Sequence, residues 1–470
     1  MQNVRRVTSV EPASDSGVSS AKAPAATGDF AGIGRRLDQL PVTYLHLAIM
    51  AVCAFGFTFD LLELGLGSVM TAVFSVSPSD MGASRLSWLL SAAFIGAIVG
   101  APSLGWYAER HGPKRTLGYA LALLAPASIA LAGSREYGAM LAMRLLSGVA
   151  LGAYPPLMIA YLTEILPPAR RGMLILMVVA CASLGPPAGI FLVRWLASTH
   201  PMGFEAWRWG FIAGGMGAAA AGAAFAFLPE SPRWLVANGQ APDAESACRK
   251  FERSMILCRP GGGLRAHSKP LAPPASATQS GSFTRRFLLL GALFFLSPWT
   301  TAAFPLLSGA VLVAKGFNLS STLLYVGIST LGTILGTIVA ALFIDRFERR
   351  TAIVLCAASM ALAAIMFALS RTTSGLIAAS LAFSTFAALY VPSLSIYAAE
   401  LFPTRSRSAA TSVTWGINRV AASLGPLVLL PLLHTRGVPA MFIVMGATLV
   451  STILVILVWS PSGLAGRAID

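Results

Sequence analysis

Charge is scarce in this sequence. Asp, Glu, Lys and Arg make up 11% of its 470 residues, where a soluble domain carries roughly a quarter. An ordinary water-soluble enzyme or binding domain is thereby excluded. Acids are the scarcer sign, 19 against 34 Lys and Arg. The bases fall in short clusters between long apolar stretches, with no basic face and no aromatic-interleaved patch, so a nucleic-acid partner is excluded too. Five cysteines give no framework. Cys53, Cys181 and Cys356 lie in apolar segments, and Cys248 and Cys258 match no zinc spacing, so all five read as unpaired thiols. The five His residues are scattered, and His46 near the start of the first apolar stretch reads as interfacial. There is no phosphate loop, metal cluster or nucleophile elbow, so neither enzyme chemistry nor a cofactor is expected. Residues 1–43 are polar and lack the apolar core of a cleavable signal peptide.

What the chain has instead is apolar length, with 56% hydrophobic residues. A helix needs about 20 apolar residues to cross a hydrocarbon core of about 30 Å. Twelve such stretches occur, near 44–73, 86–107, 116–132, 138–162, 173–197, 209–228, 287–313, 321–343, 351–370, 375–399, 408–433 and 439–459. Backbone groups in lipid must bond within their own segment, so these are helices and the chain is an all-α membrane protein. With a cytoplasmic N-terminus, inside segments hold 25 of the 34 bases and outside loops hold 7. That is the positive-inside bias, and it leaves Arg144 and Arg419 within spans. The expected organisation is a cytoplasmic tail (1–43), a six-helix bundle (44–228), a cytoplasmic loop (229–286), a second six-helix bundle (287–460) and a tail (461–470). Within the loop, Asp243 followed by bases fits a surface helix. Residues 269–282 read as a linker that lets the halves rock.

The two bundles repeat one design at a constant offset of 236 residues. Gly96 and Gly100 fall on Gly332 and Gly336, Glu109-Arg110 on Asp345-Arg346, Tyr154 on Tyr390, and Pro156 on Pro392. Tyr161, Glu164, Pro167 and Arg171 fall on Tyr397, Glu400, Pro403 and Arg407. Two related halves in an apolar chain imply a substrate path between them, hence a carrier. With no ATP site, a gradient must drive it.

Family resemblance enters through the loops. Gly105-Trp-Tyr-Ala-Glu109-Arg110-His-Gly112-Pro-Lys114-Arg115 resembles the loop motif G-x-x-x-D-R-x-G-x-K/R-K/R of the major facilitator superfamily, with Glu for Asp. Its second-half counterpart, Asp345-Arg346-Phe-Glu-Arg349-Arg350, has lost the glycine. Arg144-Leu-Leu-Ser-Gly148-Val-Ala-Leu-Gly152 is similar to the family's R-x-x-x-G-x-x-x-G. Trp207-Arg208-Trp209, the run from Pro229 to Leu235 and the run from Tyr397 to Arg407 resemble the branch of sugar porters and metabolite:proton symporters. The resemblance covers residues 44–460. It implies twelve helices in two pseudo-symmetric bundles and transport by alternating access.

Acids and bases at the cytoplasmic ends of adjacent helices form clusters that hold when shielded and weaken when wetted, so they can latch one conformation. Glu109, Arg110, Glu164, Arg171, Glu230 and Arg233 would latch the first half. Asp345, Arg346, Glu400, Arg405 and Arg407 would latch the second. The alternative is that the bases only set topology, which is the reading for Arg115, Arg349 and Arg350.

Asp60 and Glu63 are the only acids deep within a span, and their i, i+3 spacing puts them on one helix face. An ionised acid at mid-membrane costs about 2.5–3.5 kcal/mol on insertion scales, so a bundle-facing position is expected. First-helix acids of the resembled symporters are implicated in proton coupling, and the resemblance implies that role here. Their second-half equivalents are Leu296 and Trp299, so the function is not duplicated. The alternative is a structural acid paired with an Arg. Arg144 shares their depth within the uncertainty of the span ends and is the expected partner and modulator. Arg419, next to Asn418, is a planar fork either for a substrate anion or for Asp60 or Glu63 across the cavity. Trp299, Tyr154 and Tyr390 are candidate stacking surfaces.

The expectation is thus a monomeric proton symporter in a bacterial inner membrane with both termini cytoplasmic. Its solute is a small organic anion or carboxylate. Two alternatives remain. Gly185-Pro186-Pro187-Ala188-Gly189 resembles part of an antiporter motif, though Cys181 stands where that motif has glycine; this favours a proton-coupled exporter of amphipathic compounds. A non-transporting nutrient sensor would carry a larger soluble region.

Overall fold

The computed structural model describes residues 26–76, 81–199, 201–256, 283–343, 348–402 and 404–459. Among the described residues every regular element is helical. A helix α1 (Ala26–Gln39) precedes the first crossing. The first half comprises α2 (Tyr44–Val76), α3 (Ala83–His111), α4 (Pro113–Gly133), α5 (Tyr137–Ile165), α6 (Arg171–Ala182) with α7 (Gly185–Leu196), and α8 (Ala206–Ala226). Two short helices follow, α9 (Pro232–Ala237) and α10 (Ala241–Ile256). The second half comprises α11 (Phe283–Leu296), α12 (Pro298–Thr301), α13 (Ala303–Ala314), α14 (Leu319–Phe343), α15 (Arg349–Leu369), α16 (Thr373–Leu401) and α17 (Thr404–Trp459). Among the described residues, eleven helical stretches are long and apolar enough to span a bilayer, the last being 47 residues from Val413 to Trp459. That length is about 70 Å at 1.5 Å per residue, enough for two crossings. It breaks at Gly437, where φ is +79°. The crossings therefore number twelve, six in each half.

The repeated glycines do the same work in both halves. A Cβ on Gly96 or Gly100 would strike the backbone of α5 at Leu145 or Val149, and one on Gly148 or Gly152 the backbone of α3. A Cβ on Gly332 or Gly336 would likewise strike the α16 carbonyls of Leu381 or Thr385. Small residues let helix backbones approach where the solvent is lipid, and here they fix one pair of neighbours per half.

Two crossings are broken, and both breaks shape the interior. The fifth is interrupted after Ala182 and restarts at Gly185-Pro186-Pro187, with proline in the first turn of α7 where no donor is lost. That restart lets Gly185 and Gly189 press on α2 at Thr58 and Leu62. The seventh is interrupted at Ser297-Pro298 and at Ala302, which sets Trp299 on the short α12.

The halves meet tightly on the face opposite α9 and α10. Thr71 donates its hydroxyl to the Leu306 carbonyl at 2.8 Å, joining α2 to α13. Arg194 donates to the Ser320 carbonyl at 3.1 Å, and Phe191 fills the space over Gly327, joining α7 to α14. The molecule is closed on that face.

The region expected to be an N-terminal tail contributes α1. Ile33, Leu37 and Leu40 bury against the loop helices, in one core cluster with Leu235, Ala247 and Phe251. The surface helix expected around Asp243 is α10. The linker expected at 269–282 lies outside the described residues.

Candidate functional site

The two mid-span acids of α2 have opposite fates. Glu63 is wholly buried. One carboxylate oxygen accepts from Arg144 of α5 at 3.0 Å, and the other accepts from the Ser128 hydroxyl of α4 at 2.5 Å. Arg144 is 1% exposed, lies 5.7 Å over the Phe211 ring of α8, and leaves its Nε without a partner. Asp60 is 1% exposed, and neither of its oxygens has a hydrogen-bond partner. The charges that act on it are Arg419 and Glu63. Arg144 thus pairs with Glu63 and not with Asp60. One helical turn of extra depth and one more methylene bring Glu63 to the guanidinium.

Arg419 stands on α17, in the opposite half. It is half-buried in mid-helix, and its guanidinium lies 5.6 Å from the Trp415 ring one turn earlier. It forms no hydrogen bond and no ion pair within 4.0 Å among the described residues, and Asp60 is the charge that attracts it. Asn418 is occupied: its side-chain amide donates to the Phe294 carbonyl at 3.1 Å and ties α17 to α11. Trp415 packs edge-on against Phe294 at 5.7 Å, and Trp299 lies 6.3 Å from Phe295. Trp299 is half-buried, and its indole N–H has no partner. Arg419 and Trp299 therefore offer unused donors beside aromatic rings.

The two tyrosines lie in packed surroundings. Tyr154 donates to the Cys53 carbonyl at 3.0 Å, and its hydroxyl fills the space over Gly56. Tyr390 is 1% exposed, and its hydroxyl has no hydrogen-bond partner. In this conformation both pack within their own halves.

The basic face is held together differently from the expected clusters. Glu230 caps α4, accepting from the backbone N–H groups of Lys114 at 3.0 Å and Arg115 at 3.3 Å. Burial pushes its carboxyl above the ordinary value, and the backbone N–H groups oppose that shift. The unsatisfied amides at a helix N-terminus are a ready partner for a carboxylate, so Glu230 is taken before a base can reach it. Gly112, at φ +97°, leaves the space that the Glu230 carboxylate occupies. Arg233 pairs with Asp38, and Arg171 approaches Asp38 at 3.9 Å while donating to the Leu166 carbonyl. Glu164 has one buried oxygen without a partner. Arg110 stacks 3.8 Å over Trp106, and the Glu109 carbonyl accepts from Trp234 at 3.2 Å. Asp345 and Arg346 lie outside the described residues, as do the side chains of Glu400, Arg405 and Arg407.

Three residues escaped the sequence reading. Asp38 supplies the acid for Arg171 and Arg233. Arg36 binds Glu245 at 2.7 Å and Glu252 at 2.8 Å. Trp415 flanks Arg419. The spacing Ile33, Leu37, Leu40 (i, i+4, i+7) was the available signal for α1. Trp415 stands one helical turn from Arg419 in sequence.

Comparison with known proteins agrees with this architecture. A family model described as Major Facilitator Superfamily matches residues 47–426 and again 288–468. The niacin transporter NiaP of Acinetobacter baylyi is 24% identical, covering 84% of this chain and 88% of its own length. A gallate transporter of Pseudomonas putida is 27% identical, covering 90% and 93%. The xylose transporter XylE from E. coli, in a partially occluded inward open conformation, superposes with a TM-score of 0.71 at 17% identity, covering 88% and 98%.

Proposed function

The chain belongs to the Major Facilitator Superfamily, and on that premise we propose that it carries a small organic anion, a carboxylate, across the membrane together with protons by alternating access. The observation that carries the reading is Arg419. It is a mid-membrane guanidinium, half-buried, with no hydrogen bond and no ion pair among the described residues beyond its place over the Trp415 ring. An unpaired base there costs about 2.5–3.5 kcal/mol on insertion scales, and an arriving carboxylate offsets that cost through two parallel hydrogen bonds. Asp60 is the proton site, being buried without a hydrogen-bond partner on the opposing half. Glu63 and Arg144 form a neutral pair behind it. Trp415, Trp299 and Phe295 give an aromatic acid a surface to stack on. The relatives named for niacin and gallate, both aromatic carboxylic acids, support that class. Relatives named for neutral sugars, an arabinose-proton symporter of Bacillus subtilis at 26% identity among them, match to a similar degree, so the anion class rests on Arg419 rather than on the relatives.

Alternating access needs a face that closes. Asp38, Arg171 and Arg233 latch the first half on the basic face, with Glu164 beside them. Asp345, Arg346, Glu400, Arg405 and Arg407 do so in the second half. The protein works as a monomer in the bacterial inner membrane with both termini in the cytoplasm. The test is proton movement in proteoliposomes, followed with a pH dye while pooled organic acids, sugars and drug-like cations are added. Proton entry on the side of an added organic acid supports the reading. Proton movement opposite to the solute makes the protein an exporter. A response to sugars alone overturns the anion assignment.

A further inference from the structure

We infer that the groove between α1 and α10 on the basic face is a binding site for an anionic phospholipid of the adjoining leaflet, with its phosphodiester on Arg249 and Arg253 and its acyl chain along α2. The site does not depend on what the carrier moves.

The groove encloses about 520 Å³ and is lined by Arg36, Gln39 and Leu40 on one side and by Arg249, Glu252, Arg253 and Met255 on the other. Its charges do not cancel. Arg36 is held by Glu245 at 2.7 Å and by Glu252 at 2.8 Å, and these bonds set the spacing of the two walls. Arg249 shares Glu245 at 3.0 Å, yet its side chain stays 63% exposed. Arg253 is exposed and forms no hydrogen bond and no ion pair among the described residues. The exposed side-chain amide of Gln39 is likewise unbonded among them. Three guanidinium groups thus meet two carboxylates, and one positive charge is left over. A phosphodiester carries one negative charge and completes the balance. Arginine suits it, because the planar fork meets two phosphate oxygens in parallel.

The groove also has a direction. Met255 lies six residues beyond Arg249 along α10, about 9 Å at 1.5 Å per residue. Leu40 lies just past the end of α1, four residues beyond Arg36 and four before Tyr44, where α2 begins. The Ser254 and Thr43 hydroxyls meet at 2.7 Å, which sets Met255 beside the start of α2. The bases therefore stand farther from the first crossing than the apolar residues do. Beyond the apolar end, Tyr44, Leu47, Ala51 and Phe55 form an exposed stripe on α2, about 16 Å long. A free phosphate would use the bases and leave Leu40, Met255 and this stripe without a role. A phospholipid uses both ends. By the positive-inside bias this face meets the leaflet whose anionic lipids attract basic segments. Asp38, next to Gln39, pairs with Arg233, so a lipid that fixes the end of α1 also steadies the acid of the proposed latch.

The experiment uses the full-length protein. Native mass spectrometry from detergent compares retention of phosphatidylglycerol, with one net negative charge, against phosphatidylcholine, with none. The wild type should retain phosphatidylglycerol selectively. Arg249→Gln/Arg253→Gln should bind it about thirtyfold more weakly, having lost two bases at the membrane surface. Lys250→Gln, exposed on the same helix but outside the groove, should bind as the wild type does. Equal retention of the two lipids, undiminished binding in the double variant, or an equal loss in Lys250→Gln overturns the inference; the last result would mean diffuse attraction to the surface. Hydrogen exchange needs no variant: α1 of the wild type should be better protected in phosphatidylglycerol nanodiscs than in phosphatidylcholine nanodiscs. No difference between the nanodiscs overturns the inference. The same protection from millimolar inorganic phosphate in phosphatidylcholine nanodiscs overturns it as well, since the site would then be one for a free anion.

Discussion

Removing either member of the Glu63–Arg144 pair should destabilise the first half severely, and removing both together should not. The pair joins α2 to α5, with side chains 0% and 2% exposed, and Ser128 of α4 completes it. Truncating one partner of a buried pair leaves an uncompensated charge and typically costs about 3–5 kcal/mol. For Glu63→Leu the stranded charge is the Arg144 guanidinium, whose Nε already lacks a partner, and Ser128 loses its acceptor. Arg144→Met strands Glu63 with only serine hydroxyls to hold it. A loss of about 3 kcal/mol lowers the folded-to-unfolded ratio more than a hundredfold. Glu63→Leu/Arg144→Met removes both charges and keeps the volume, a change that is often neutral or stabilising by about 1–4 kcal/mol. Equilibrium unfolding of the purified protein in detergent, on all four members of the cycle, measures the coupling. The reasoning fails if each single variant costs less than about 1 kcal/mol, or if the double variant loses the sum of the singles. The double variant also reports on mechanism: if Asp60 alone carries the proton, its uptake remains proton-coupled.

Other outcomes follow from the same geometry. Gly100→Ala and Gly336→Ala should be equally harmful, each costing about 1–3 kcal/mol through forced separation of helices whose backbones touch; thermal unfolding of the two variants compares them. Hydrogen exchange should show α1 protected near neutral pH and released in acid. Arg36 and Arg249 hold the Glu245 carboxyl below its ordinary value, so its contribution is present above the unfolded value and is lost as pH falls through the folded one. Arg36→Ala should release α1 at every pH. Trp415→Ala should weaken binding of aromatic acids about tenfold while sparing small aliphatic acids, because it removes a ring beside Arg419 and leaves the fork; competition for uptake measures both.

Much of the fold was legible because its determinants are local. Apolar length fixes each crossing, since backbone groups in lipid must bond within their own helix. The glycines that repeat at offset 236 were legible as a repeat, and they are the ones at the close α3–α5 and α14–α16 approaches. The break between the eleventh and twelfth crossings was legible as well, and it falls at Gly437, inside the gap expected between 433 and 439. The helix α1 was not legible, since its few apolar residues are meaningful only against the face that α9 and α10 offer.

The site was legible as a set of residues but not as a set of pairs. Scarcity singled out Asp60, Glu63, Arg144 and Arg419, because a charge in an apolar span is costly and few are present. Their spacing along one chain did not say which acid meets which base. The packing of α5 on α2 decided that Glu63 takes Arg144 and that Asp60 is left facing Arg419. The same holds at the basic face, where Glu230 went to backbone amides of α4 and Asp38 took the arginines. Composition and periodicity act through each residue's own neighbours in the chain, so the sequence alone determined twelve crossings, two related halves and the few charges between them. Electrostatic partnership depends on separations of a few ångströms between helices distant in sequence, and those only the tertiary structure decided.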